Sequence, residues 1–140
     1  MAFKLVIADP KTRKSFQKEV SGEGILGKKI GGKIEGAAAG LAGYELQITG
    51  GSDKDGFPMR KDVDGSARKR ILISNAPGFH PKLEGQRKRK SIRGNTVSDD
   101  IAQLNTKVVR YGKEPLDKLF GAGEKKEDEG SEKAEEESKE

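Results

Sequence analysis

The sequence predicts a mainly β domain: a small β-barrel, closed or partly open, with a short C-terminal helix and a disordered acidic tail. Three observations predict it. Glycine supplies 19 of 140 residues, about twice ordinary usage, which suits a turn-rich β protein better than a helix bundle. Apolar residues come in short runs bounded by Gly, Pro, Asn and Asp, the signature of several short strands in a barrel or sandwich. From Glu124 to Glu140 the only apolar residue is Ala134, so that segment cannot offset its ordering entropy. The expected division is a β domain over residues 1–120 and a tail over 121–140. The 120 residues suffice for one modest core.

Taken in order, Phe3–Ile7 reads as a strand and Asp9-Pro10-Lys11-Thr12 as a turn. Lys14–Val20 alternates roughly with period two and completes a hairpin. Lys29–Ile34 reads as a short strand broken by Gly31-Gly32. Gly36–Gly43 holds three alanines between glycines and suits tight packing or a loop. Tyr44–Thr49 is the next strand, and Arg70–Ser74 another, ending at Asn75, Pro77 and Gly78. Gln86–Gly94 is almost pure charge and reads as a flexible-ended clasp. Val97 closes a strand, and Val108-Val109 marks one within Leu104–Tyr111. Pro115–Gly121 is a helix of one to two turns, with Pro at its first residue and Gly at its C-terminal cap. Leu116, Leu119 and Phe120 would dock it.

Charge is divided along the chain. Residues 1–120 carry 24 Lys and Arg against 14 Asp and Glu, whereas residues 121–140 carry 4 against 9. A basic body points to a polyanionic partner. The absence of cysteine excludes disulfides, thiolate catalysis and Cys-based zinc sites, and suits the cytosol. The apolar run at the N-terminus is too short for a signal peptide or membrane span. Neither a membrane nor a small-molecule substrate is expected as partner, and no cofactor.

The stretch Ile48–Met59, Ile-Thr-Gly-Gly-Ser-Asp-Lys-Asp-Gly-Phe-Pro-Met, concentrates three glycines, two aspartates and a proline. Gly50 and Gly51 allow close backbone approach. Asp53-Lys54-Asp55-Gly56 is turn chemistry, and Pro58 stiffens the exit. A rigid projecting loop is expected, with a plain hairpin connection as the bland reading. Between Arg60 and Arg93 lie eleven basic residues (Arg60, Lys61, Arg68, Lys69, Arg70, Lys82, Arg87, Lys88, Arg89, Lys90 and Arg93) and only three acidic ones. Such a density displaces counterions from phosphates, and arginine grips phosphate at two points; the bland reading is a solvated face or a targeting signal. Phe57 and Phe79 read as core residues that are also placed to stack on bases.

Other patterns fail on inspection. Gly22-x-Gly24-x-x-Gly27 has no following helix. Gly22-x-x-x-x-Gly27-Lys28 has Lys29 where a phosphate loop needs Ser or Thr. Asp53-x-Asp55 starts like a calcium loop, but Pro58 occupies the obligatory glycine position. His80, the single histidine, has no recognisable nucleophile to serve.

The Ile48–Met59 stretch closely resembles the signature of the small-subunit ribosomal protein six family shared by archaea and eukaryotes. Gly85–Gly94, Gly-Gln-Arg-Lys-Arg-Lys-Ser-Ile-Arg-Gly, resembles that family's next motif, and Leu104-Asn105, Val108-Val109 and Gly112 resemble its closing strand. The resemblance covers about residues 1–120 and looks like the short archaeal form. It implies a barrel-like β domain without catalysis, seated on small-subunit ribosomal RNA among neighbouring ribosomal proteins, in the cytoplasm. Carried over, it makes Gly50, Gly51, Asp53, Lys54, Gly56, Pro58 and Met59, together with Arg87–Lys90 and Arg93, RNA-facing. The charge argument adds Arg60, Lys61, Arg68, Lys69 and Arg70. Eukaryotic members carry a basic helix with phosphorylatable serines where this chain is Glu-rich, so that regulation does not transfer. The alternatives are a free RNA-binding or RNA-chaperone module and an enzyme acting on phosphate-bearing substrates. The tail has two readings: a solubilising extension, or a transient cover for the basic face.

Overall fold

In the computed structural model, which describes residues 2–22, 24–116 and 118–120, seven strands form two sheets. They are β1 (Ala2–Asp9), β2 (Lys14–Ser21), β3 (Lys33–Glu35), β4 (Glu45–Asp53), β5 (Arg68–Ile73), β6 (Lys88–Arg93) and β7 (Ile101–Arg110). The larger sheet has the order β2-β1-β7-β4-β3, and β5 pairs only with β6. The expected acidic tail and the Gly121 cap lie outside the described residues.

Alternation builds the large sheet. Leu5 and Ile7 of β1, Leu46 and Ile48 of β4, and Leu104 and Thr106 of β7 face one side and are nearly inaccessible. Ile25, Ile34, Leu41, Tyr44, Met59, Val97 and Leu116 pack onto them in a single core. The β1–β2 hairpin is closed by Asp9, whose carboxylate accepts from the Lys11 amide (2.8 Å), the Thr12 hydroxyl (2.9 Å) and the Tyr111 hydroxyl (2.6 Å). Tyr111 thereby ties the end of β7 back to the first turn. A short helical turn follows, with the Leu119 and Lys118 amides donating to the Pro115 carbonyl. As the sequence suggests, Leu116 is buried, and Leu119 and Phe120 lie against the core, with Phe120 stacked on Phe16 at 4.8 Å.

Three expectations are corrected. Among the described residues the sheet is open, not a closed barrel. Between β4 and β5 the chain pairs only through isolated bridges, Ser52 with Pro58 and Met59 with Arg93, and Pro58 has no N–H with which to extend a ladder. Second, β4 does not stop at Thr49 but runs to Asp53, absorbing both glycines through register shifts at Ile48/Gly50 and Ser52/Asp53. Such shifts are bulges, which let a strand bend without ending. Third, the clasp of Gln86–Gly94 is largely the ordered strand β6. The Gly36–Gly43 stretch opens with a 3-10 turn, Gly36–Ala39. A Cβ at Gly36 would lie 2.5 Å from the Leu41 carbonyl oxygen, so tight packing is the reason for this glycine.

Candidate nucleic-acid interface

The β5–β6 ribbon carries most of the basic window. Directly opposed residues share a face. One face presents the pairs Lys69–Ile92, Ile71–Lys90 and Ile73–Lys88. Ile73 and Ile92 are buried there, with Pro58 packed beside Gly78 and Gly78 against both isoleucines. The opposite face presents Arg68–Arg93, Arg70–Ser91 and Leu72–Arg89. Arg70, Leu72 and Arg89 are exposed, as are Arg87, Lys88, Lys61 and Lys69; Lys90 is half-buried. None of these cations is in a salt bridge among the described residues.

At the root of the ribbon the like charges Arg68 and Arg93 stand directly opposite one another, an arrangement that destabilises a bare ladder. Asp53, from the end of β4, resolves it. Its Oδ2 accepts from Arg68 at 2.6 Å and from Arg93 at 2.8 Å. Arg93 also donates to Asp100 (2.6 Å) and Ser98 (3.0 Å), and Arg68 to Asp55 (2.6 Å). The Asp53 and Arg93 side chains retain 2% and 8% of their accessible surface. The Arg68 guanidinium lies 4.4 Å from the Phe57 ring centre, a cation–π contact. Burial pushes the Asp53 carboxyl up, but the hydrogen bonds from Arg68 and the Lys54 amide and the charge of Arg93 outweigh it and hold the pKa below the ordinary carboxylate value. Burial opposes the charge of Arg93, yet Asp100 and Asp53 raise its pKa further.

The glycine-rich stretch is stitched down rather than projecting. The Asp53 amide donates to the Phe57 carbonyl, Met59 to Gly51, and Arg93 to Pro58, each at 2.9 Å. The turn proper is Lys54–Phe57, with Gly56 at φ 82°, where a side chain is disfavoured. Met59 is a core residue, 3% exposed. Gly51 is demanded by packing, since a Cβ there would lie 2.5 Å from the Gln103 carbonyl oxygen. Gly50 meets nothing within 4 Å and has no left-handed φ. Arg60 is half-buried. It donates to Asp62, to the Asn75 and Pro77 carbonyls and to the Asn75 side chain at 3.1–3.3 Å, and so pins the segment after β5.

The sequence-predicted residues thus divide. Lys54, Gly56, Lys61, Lys69, Arg70, Arg87, Lys88 and Arg89 are exposed, and Arg68, at 36% side-chain exposure, is at the margin. Gly50, Pro58 and Lys90 are half-buried. Asp53, Met59 and Arg93 are interior and Gly51 is enclosed. Sequence reasoning missed the supports of this site. Asp100 and Ser98 hold Arg93, while Asn95 donates to the Lys61 carbonyl (3.2 Å) and to Asp64 (2.9 Å). No spacing signal marks them, because the partners of Asn95 are distant in sequence and Ser98 and Asp100 meet Arg93 across an irregular connection rather than at a helical or strand spacing. Phe79 is buried and Phe57 lies beneath Arg68, so neither ring stands open for a base. His80 is exposed. No group of three or more His, Cys, Asp or Glu that could hold a metal occurs among the described residues.

Known proteins match this sequence over most of its length. The profile of the Ribosomal protein S6e family matches residues 3–121. The small ribosomal subunit protein eS6 of Methanocella arvoryzae is 51% identical over 128 residues, covering 89% of this chain and 90% of the relative. Those of Methanococcus maripaludis and Methanothermobacter thermautotrophicus are 53% and 51% identical, covering 83% and 89% of this chain and 94% and 99% of theirs. A basic ribbon latched to an open β-sheet is therefore the form taken here by a member of the Ribosomal protein S6e family, to which this chain belongs.

Proposed function

We propose that the protein is a structural, non-catalytic constituent of the small ribosomal subunit, and that its β5–β6 ribbon binds ribosomal RNA. The relatives' shared designation as small-subunit proteins supports the first part. One observation carries the second: Arg70, Arg87, Lys88 and Arg89 stand exposed, without counterions among the described residues, on a ribbon whose root is fixed by a buried ion network. Cations held in place on a rigid support neutralise phosphates with little further ordering. Lys54 and Gly56 of the turn, with Lys61, Arg68, Lys69 and Lys90, extend this surface. Gly51, Asp53, Pro58, Met59, Arg60 and Arg93 hold it in shape. Gly50 is spare space on the sheet. Neighbouring ribosomal proteins are partners of the remaining surface, where Leu26 and Leu83 are exposed.

Sedimentation of tagged protein from lysate on sucrose gradients at rising salt tests this reading. Co-migration with small subunits that survives moderate salt is expected. Migration at the top of the gradient at every salt would leave a free RNA-binding module instead.

A further inference from the structure

The large sheet has a second face, turned away from the core, and no described element lies across it. Its centre is a grid of three strands in register. Lys4 of β1 pairs with Gln103 of β7, which pairs with Ser52 of β4. In the next row Asn105 pairs with Gly50 and Val6, and in the third Lys107 pairs with Gln47 and Ala8. These residues face outward because their neighbours Leu5, Leu104 and Ile48 face the core. On this outer face the carboxylates are Glu19 of β2, opposite Lys4, Glu35 of β3 and Glu45 at the first residue of β4. Lys4 and Lys107 are exposed and make no salt bridge among the described residues.

We propose that this outer face is a second RNA-binding surface, which takes the minor-groove edge of an RNA double helix. The inference rests on the ribosomal reading above. Four features point to it. The central grid holds two cations, Lys4 and Lys107, and no carboxylate, its nearest one being Glu19 across from Lys4 on β2, a charge balance that suits a polyanion. Its polar groups are carboxamides with capacity to spare: Gln103 donates to the Asn105 Oδ1 (3.0 Å) and Gln47 to the Gly31 carbonyl (3.0 Å), leaving the Asn105 Nδ2 without a partner among the described residues. Carboxamides both donate and accept, as ribose 2′-hydroxyls do. The central grid carries no aromatic side chain, so stacking on unpaired bases is not its chemistry, whereas an open face of lysines and carboxamides suits the wide, shallow minor groove of A-form RNA, with its 2′-hydroxyls. Finally, glycine inside a strand weakens it unless another backbone must come close. Gly50 is required neither by φ nor by packing, and it leaves a gap at the centre of the grid. With the ribbon attached at the Asp53 end of β4, one molecule would hold two RNA segments at once.

The chain contains no cysteine, so a single introduced thiol can carry an Fe(II) chelate for hydroxyl-radical cleavage. Lys107→Cys on the outer face and Arg70→Cys on the ribbon would each be reconstituted into small subunits lacking this protein. The expected result is cleavage of helical RNA from Lys107→Cys at a segment different from that cut from Arg70→Cys. Cleavage from the ribbon alone, cleavage from Lys107→Cys confined to unpaired loops, or a neighbouring protein covering the face overturns the inference and leaves the ribosomal reading standing. Failure of unmodified protein to enter subunits overturns that reading itself. Independently, Lys4→Glu with Lys107→Glu is expected to lower the logarithmic salt slope of binding to small-subunit ribosomal RNA by about 1.5, as for two lost phosphate contacts. An unchanged slope with intact folding overturns the inference as well.

Discussion

Arg89 and Arg93 lie on the same face of the same strand, four residues apart, and have opposite fates. Arg89 faces the exposed Leu72 across the ribbon and has no counterion among the described residues. Arg93 faces Arg68 and is 7% exposed, because Asp53 reaches in from β4 and Asp100 from the segment before β7. The difference lies not in residue type but in which strand ends arrive alongside. A cation at the free tip is available to a phosphate; one at the root is consumed in holding the ribbon to the sheet. Gly50 and Gly51 repeat the lesson: Gly51 has no room for a side chain, and its neighbour has room to spare.

Breaking the root has the largest expected effect. Asp53→Ala leaves Arg93 buried opposite Arg68 without their shared acceptor, and should destabilise the fold by about 3 kcal/mol, the lower end for removing one partner of a buried pair. Chemical denaturation measures it, and a loss no larger than a surface substitution gives would remove the root from the account. Next comes Gly51→Ala, whose methyl overlaps the Gln103 carbonyl and should cost about 1–3 kcal/mol. Gly50→Ala should instead be neutral or stabilising by roughly 0.5 kcal/mol, so equal effects at the two glycines would erase that contrast.

Acid should act on the same root. The folded pKa of Asp53 is depressed, so its contribution is fully present above the unfolded value of about 3.9. It is lost as pH falls through the lower folded value. Asp9 behaves alike: burial pushes it up, but hydrogen bonds from Tyr111, Lys11 and Thr12 bring it below the ordinary value. Stability followed by thermal unfolding should therefore fall below about pH 4, and Asp53→Asn should show a smaller fall, with the Asp9 share remaining. The smallest effect on stability belongs to the tip. Arg89→Ala should change it by less than about 0.5 kcal/mol while weakening RNA binding.

Much of the fold was legible in the sequence. The β1–β2 hairpin follows from the period-two alternation of Lys14–Val20, β4 and β7 from the short runs Tyr44–Thr49 and Val108-Val109, and the docking of Leu116 from the helix that Pro115 opens. Openness of the sheet was not legible, because it depends on which edges pair, and alternation does not report pairing. The basic tracts were legible as charge, but their division was not. Asp53 reads as a turn residue, and only the approach of β6 and of residues 98–100 makes it the acceptor for two arginines. The outer grid was invisible for a related reason: Lys4, Gly50 and Lys107 are brought together by a parallel and an antiparallel pairing across some hundred positions of sequence.

The central claim is that the tip cations, not the root, meet the RNA. The salt dependence of binding to small-subunit ribosomal RNA, measured for the intact protein and for the combined Arg87→Gln, Lys88→Gln and Arg89→Gln variant, tests it most directly. The account predicts a logarithmic slope smaller by about 2 to 2.7 with the thermal midpoint unchanged. An unchanged slope in a folded variant would contradict it.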